Sequence, residues 1–575
     1  MGGDHLRSFL LHEQVNDDAQ QDPVSLLDHQ SGLNTFDWLG RSAAFHRKTL
    51  GGKRTLLFTV GTICLWHVAF FGIFFNLVLF FKDVLQKGSG VAARDANNWM
   101  GSMFLASLLG AFIAESFVGR LWACAFCQTI AMVGLILMMV AIKVILSLEM
   151  TTAAVRAFFF ISIYLLSIGY GSFVPALRSL GVDQFDADTD RAIFFNRYII
   201  FDNVGMLVAD TLVVYAASAK GWIFGFGVAT LAGAVGLVLY GSGAPLYRQY
   251  KYKGNPYQRA LQVLVAAARK WRVVLPNDSD DLYEEGYNHN DIKGGEPCMK
   301  HTESLRWLDK AATIIPPDFA NGSTRNRWKL SSVTEVEEMK AVVRLLPVTA
   351  TLIFANTLQS QTATLLVEEG ALMDTSIGGK LSMEPATMNL FNIMVVVLVA
   401  PLYSSLVVPL ARRRTGLPRG FAPLHEAGMG YIMSIVAVLL AAAVEAYRLH
   451  CYRQGLAAPS IFWQVPEFAL LGLAQFLSGV GLMEFFYSYA PLSLRSLGSA
   501  FSLTGTALGS YVSSFLVWLV MVVSSGGGKD DGWLPAELND GHLDYFFWLL
   551  GALGFLNFLC FLRCAASFMR SRPPS

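Results

Sequence analysis

Residues Thr55 to Phe81 form a run of 27 side chains without aspartate, glutamate, lysine or arginine. At about 1.5 Å of rise per residue, about 20 apolar residues cover a hydrocarbon core about 30 Å thick, so this run crosses a bilayer even when tilted. Its one ionisable side chain is His67. Ionisable groups inside a membrane are rare and mark functional positions; the plainer alternative is a packing residue with its hydrogen bonds satisfied.

The rest of the chain repeats the pattern. Of its 575 residues 54% are hydrophobic and only 15% charged, with a mean hydropathy of +0.44. A soluble domain carries nearer a quarter charged residues, so this is an integral protein of the lipid bilayer. A net charge of +1 speaks against a nucleic-acid partner. The seven cysteines lie mostly in apolar runs, and Cys124-x-x-Cys127 falls within a helical pattern. They read as small core residues, with no metal, cofactor or disulfide framework implied.

Residues 1–52 are polar without apolar periodicity and read as a mobile tail, with no cleavable leader visible. Five further spans follow the first: Asn97–Ala114, Leu121–Leu148, Ala157–Val182, Ala192–Ala217 and Trp222–Leu246. Residues 53–246 therefore form a first bundle of six helices. Residues 247–340 are a polar linker, with an amphipathic helix expected at Ala260–Lys270 along the membrane face. A second bundle, residues 341–569, holds spans at Ala341–Leu366, Ala386–Leu410, Gly428–Val444, Ile461–Tyr489, Ala500–Val523 and Tyr545–Phe568, and residues 570–575 form a tail. The expected fold is all-α, with twelve transmembrane helices in two six-helix bundles.

Short-loop arginines set the orientation. Arg120, Arg191, Arg412 to Arg414, Arg419 and Arg495 all follow even-numbered spans, as does the basic linker, so both termini are expected in the cytosol. Glu368, Glu369, Asp374, Asp530, Asp531 and Asp540 follow odd-numbered spans and are expected in loops on the opposite side. The plasma membrane is the expected location, the vacuolar membrane the alternative.

Enzymatic readings fail on spacing. Gly52-Lys53-Arg54, Gly379-Lys380-Leu381 and Gly528-Lys529-Asp530 lack the rest of a phosphate-binding loop, and His425-Glu426 lacks a second histidine to complete a metal site. Two six-helix halves suit a rocker that exposes a central site to each side in turn. In Gly110-x-x-x-x-Glu115-x-x-x-Gly119-Arg120 the glycines permit close helix approach, while the acid and arginine can latch onto neighbours in one state.

Further along, Gly181-Val182-Asp183-Gln184-Phe185-Asp186, Phe194-Phe195-Asn196 and Asn203-x-Gly205 resemble the signature of the proton-coupled oligopeptide transporters of the major facilitator superfamily. The plant nitrate/peptide transporter branch is resembled through Asp37-Trp38-x-Gly40-Arg41, Asn97-Asn98-Trp99, Arg344-Leu345-Leu346-Pro347, Ile461-Phe462-Trp463-Gln464-x-Pro466 and Leu482-Met483-Glu484-Phe485-Phe486. The resemblance covers about residues 36 to 565. It implies transport of nitrate or a related small anion, or else of peptides, plant hormones or potassium. It adds Asp183 and Gln184 to Gly110, Glu115, Gly119 and Arg120 as gating candidates.

Departures from the family are as informative. The acidic E-x-x-E-R/K motif of the first helix corresponds to Ile63, Trp66 and His67, the lysine before the proline of helix four to Val174, and the acid facing it from helix ten to Gln475. Losing one member of a buried ion pair strands the other at about 3–5 kcal/mol, so joint loss is physically consistent and implies a cavity stripped of its usual charges as a set. A histidine of a nitrate-binding member aligns with Gln359. Helix five gains Asp202 and Asp210, each costing about 2.5–3.5 kcal/mol at mid-bilayer and therefore expected to face protein or water, with His67 as a partner.

The substrate-binding candidates are His67, Asn76, Asn203, Gln359, Gln361, Gln475 and Glu484; the candidates for proton coupling are His67, Asp202, Asp210 and Glu484. With the usual acids gone, uncoupled facilitation is the first expectation and relocated coupling the second. A membrane sensor that transports nothing is the reading from another class.

Overall fold

The charge-free runs become helices in a computed structural model that describes residues 35–39, 41, 50–148, 152–185, 188–250, 256–276, 282–284, 301–315, 319–320, 324–377, 381–415, 421–489, 495–525 and 532–570. The first half holds α1 (Lys53–Asp83), α2 (Ser89–Ile113), α3 (Arg120–Leu148), α4 (Ala153–Val182), α5 (Asp188–Val208) and α6 (Trp222–Gly243). α5 runs on through a π-turn at Ala209–Val213 to Lys220. The linker contributes α7 (Pro256–Arg269). The second half holds α8 (Val333–Gln359), the short α9 (Leu365–Ala371), α10 (Asn389–Leu402, extended by a π-turn and Val408–Thr415), α11 (Pro423–Arg453), α12 (Val465–Tyr489), α13 (Arg495–Ser524) and α14 (Leu543–Arg570).

Ten helical segments among the described residues are long and apolar enough to cross a membrane, α8 and α9 counting together as one. α2 and α10 complete the twelve-span plan. The first is diluted by Arg94, Asp95, Asn97 and Asn98, and the second is interrupted at Tyr403–Val407. Two apolar cores form, one among α1 to α6 and one among α8 to α14. They meet where Ala363, Val367 and Ala386 join the first core and Ala93 joins the second.

The linker end of the molecule is tied by short backbone contacts. Thr35–Phe36 pairs antiparallel with Gln249–Tyr250, and the amides of Gly51 and Gly52 donate to Leu246 and Gln184. α7 turns its apolar side toward protein, packing Val263, Ala266 and Ala267 with Leu308, Ala311 and Ala312 and the foot of α8. α8 begins at Val333 under a capping box of Ser332 and Glu335, inside the stretch that composition marks as linker. There Lys340 is wholly buried and binds Asp309 and Glu337, each at 2.7 Å. His301, Asp309 and Glu337 form a three-ligand cluster among the described residues, and the Lys340 ammonium fills it.

The hydrogen bonds between the two bundles gather in the half away from the linker. Asn97 Nδ2 donates to Ser513 Oγ at 3.0 Å, Ser102 Oγ and Tyr511 Oη lie 2.9 Å apart, and Ser514 Oγ donates to the Arg94 carbonyl at 2.8 Å. Ser218 binds Glu384, and Thr387 donates to the Asp210 carbonyl. The bundles thus close on each other at the far end.

Candidate functional site

α1 and α5 cross in backbone contact. A Cβ at Gly205 would sit 2.6 Å from the Cys64 carbonyl and 2.7 Å from His67 Cβ, so a glycine is required there. That approach brings Asp202, one turn earlier on α5, against the imidazole of α1. His67 Nε2 lies 2.8 Å from Asp202 Oδ1, and His67 Nδ1 lies 2.8 Å from the Ile63 carbonyl. Tyr170 Oη of α4 stands 3.3 Å from Nδ1, its ring stacked on Phe70 at 4.0 Å. Phe71 covers another side of the imidazole at 5.3 Å.

Counting hydrogens gives this pair its chemistry. A carbonyl only accepts, so Nδ1 carries a proton. Nε2 at 2.8 Å from a carboxylate oxygen needs a second hydrogen between them, on the ring or on the carboxyl. The pair is then electrically neutral overall. Removing that proton leaves two acceptors face to face and a net negative charge, which disfavours the α1–α5 contact.

Arg178 of α4 stands close enough to act on Asp202, with its guanidinium 5.0 Å from the centre of the Tyr198 ring. It is solvent-exposed. Arg178 lies four residues beyond Val174, on the same helix face. The usual charged positions stay uncharged at Ile63, Trp66, Val174 and Gln475, while a cation, Arg178, stands one turn further along α4 than Val174. Trp66, where the family motif has an acid, is buried and donates to Gln128 at 2.9 Å.

The other candidates separate. Asp210 does not join the pair: the π-turn carries it, wholly buried, toward the Leu390 backbone at the start of α10. Asn76 is buried and donates back to the Gly72 carbonyl of its own helix, so it packs α1. Asn203 is half-exposed and bonds Ile199, and Gln475 is exposed on α12. Gln359 ties α8 to the Leu471 carbonyl at 2.8 Å. Gln361, fully buried, donates to Ser513 at 2.9 Å and so continues the chain from Asn97 across the bundles. The side chain of Glu484 lies outside the described residues.

Among the gating candidates, Arg120 Nη1 binds both carboxylate oxygens of Asp183 at 2.8 and 2.7 Å, joining the start of α3 to the end of α4 within one bundle. Gly119 makes the turn before it at φ +81°. Gln184 clamps the segment after α6, accepting from Arg248 N at 2.8 Å and donating to its carbonyl. A Cβ at Gly110 would lie 2.2 Å from the Ser172 carbonyl, so this glycine seats α2 on α4. The Glu115 side chain lies outside the described residues.

Glu368 and Glu369 correct the sequence reading most plainly. Expected in an outer loop, they are 1% and 0% exposed on α9. The seventh span breaks at Ser360–Ala363 and resumes as α9, which carries both acids into the protein.

The POT family profile, PTR2, matches residues 121–534. Protein NRT1/ PTR FAMILY 8.5 of Arabidopsis thaliana is 37% identical over 574 residues, covering 96% of this chain and 94% of the relative. Protein NRT1/ PTR FAMILY 8.2 of the same plant is 38% identical, covering 90% and 94%. An auto-inhibited POT family peptide transporter, solved by crystallography, superimposes with a TM-score of 0.69 at 19% identity, covering 91% of this chain and 98% of that one. A POT peptide transporter in complex with sulfate gives 0.63 at 14%, covering 91% and 98%. The chain is a membrane transporter and belongs to the POT family.

Proposed function

We propose that this protein is a proton-coupled secondary transporter of a small solute bearing an anionic oxygen group, nitrate or the carboxylate of a short peptide. The observation that carries the reading is the His67–Asp202 contact, where both ring nitrogens face acceptors and one extra proton is therefore held. Of the two expectations, the geometry favours relocated coupling over uncoupled facilitation. Arg178 supplies a planar guanidinium, suited to a nitrate or a carboxylate, within electrostatic range of the same pair.

Coupling follows from charge. An anion arriving at Arg178 weakens the guanidinium's hold on Asp202, and the freed carboxylate takes or keeps the proton shared with His67. Anion and proton then bind together, as a symporter requires. Solved family members captured with sulfate and with 5-aminolevulinic acid show ligands of this anionic class. The far-end closure supports a site presented toward the linker side, and the short-loop arginines support a cytosolic position for that side.

Uptake of labelled nitrate and of a labelled dipeptide into oocytes, with acidic and neutral medium, tests this. The expected result is acid-stimulated uptake of one of the two, reduced at least tenfold in Arg178→Gln. Uptake of neither, or uptake unaltered by Arg178→Gln, refutes it; uptake of potassium or a hormone alone assigns another substrate.

A further inference from the structure

α9 meets α11 and α12 in the far half of the second bundle. Glu369 of α9, Gln464 just before α12 and Glu467 of α12 are each 0% exposed. Gln464 Nε2 donates to the Leu366 carbonyl at 2.9 Å, and its Oε1 points at α9, 2.7 Å from where a Cβ on Gly370 would sit. That Oε1 and both oxygens of Glu467 lack a hydrogen-bond donor, and the Glu369 carboxyl faces Gln464 and the Glu445 carboxyl, neither contact closing to a well-formed hydrogen bond.

The cation nearby is already committed. Arg448 of α11 donates from Nε and Nη2 to the two oxygens of Glu445 at 2.6 and 2.8 Å, and from Nη1 to Asn539 at 2.6 Å. Glu445 and Arg448 thus cancel. Asp544 of α14 acts on Glu445 from the far side, and Glu368 of α9 turns the other way, toward Ser89 and Lys82 of the first bundle. Glu369 and Glu467 remain as neighbouring acids: Glu445 repels both, and the Arg448 charge reaches Glu369 only past the Glu445 carboxylate that it already binds.

Buried polar atoms find hydrogens, and an ionised carboxylate has none to give. A protonated carboxyl does. We propose that Glu369 and Glu467 form a second proton-binding site, in the second bundle and separate from the His67–Asp202 pair. Each acid takes one proton from water when the far end opens: an O–H bond forms, a hydronium ion becomes water, and the pair passes from two negative charges to none. The new hydroxyls supply donors to Gln464 Oε1 and to the partner carboxyl. α9 suits such loading, because it is a seven-residue piece at the bundle interface, hinged through Thr364 at φ −129° and ψ −101°.

The test uses the full-length protein in detergent and does not depend on transport, so it stands or falls apart from the His67–Asp202 reading. Unfolded glutamates lose their protons above about pH 4.3, whereas the folded pair keeps them, so stability falls as pH rises. Melting temperatures between about pH 5.5 and 8.5 are compared for wild type, Glu369→Gln, Glu467→Gln and the double variant. Glutamine keeps the size and offers an N–H donor, so the double variant is expected to lose at least half of the wild-type decline. An unaltered decline overturns the proposal. So does a melting temperature raised by sodium or potassium at fixed pH and no longer raised in Glu467→Gln, which assigns a metal cation instead. If the double variant does not fold, infrared difference spectra of wild type against Glu467→Gln decide: loss of a protonated-carboxyl C=O stretch supports the proposal, and no difference refutes it.

Discussion

Removing the three side-chain contacts that hold α2 to α13 should open the far end. Asn97 to Ser513, Ser102 to Tyr511 and Ser514 to the Arg94 carbonyl span 2.8 to 3.0 Å between the bundles. In the opened state these groups face water, so each bond is worth its net value, about 0.5–1.5 kcal/mol. Taken as independent, the three favour closure by about 1.5–4.5 kcal/mol, a factor of roughly 10 to 2,000 in the closed-to-open ratio. The variant Asn97→Ala, Tyr511→Phe, Ser514→Ala keeps the apolar packing and deletes the bonds. Spin labels at the far ends of α2 and α13, read by pulsed electron resonance, report the distance distribution. A new long-distance population is expected, absent from the parent. A distribution identical to the parent would refute the claim that these bonds hold the far end shut.

Two further outcomes follow from the linker. Lys340→Met leaves Asp309 and Glu337 buried without their cation, a loss of about 3–5 kcal/mol, so the melting temperature should drop sharply and recover in part when Asp309→Asn is added; an unchanged value would refute the network. An epitope inserted between residues 285 and 296 should be reached only after permeabilisation, and access from outside intact cells would reverse the proposed topology.

The spans were legible because charge-free runs of this length leave few alternatives. His67 and Asp202 were legible as a pair because each is costly alone in lipid. Gly205 was the signal for where the helices meet, though only the structure shows a Cβ colliding with Cys64 and His67. Arg178 was missed: the family resemblance directs attention to Val174, and a cation one turn nearer the helix end reads as an ordinary basic flank. Glu368 and Glu369 were misread because hydropathy falls at Leu366 and acids beyond a span resemble a loop. The break at Ser360–Ala363 left no mark in the apolar pattern. Asp210 parted from Asp202 for a related reason, since eight residues place two side chains about 80° apart only in a regular α-helix, and a π-turn intervenes.

Proton entry driven by the solute itself tests the central claim most directly. Purified protein in liposomes carrying an internal pH dye is given the transported solute outside, with no imposed pH gradient and the membrane potential clamped. Internal acidification on solute addition is predicted for the parent. In His67→Gln and Asp202→Asn, solute entry should continue at some rate while acidification is lost. Solute entry without acidification in the parent, or acidification undiminished in both variants, would contradict a proton carried by the His67–Asp202 pair.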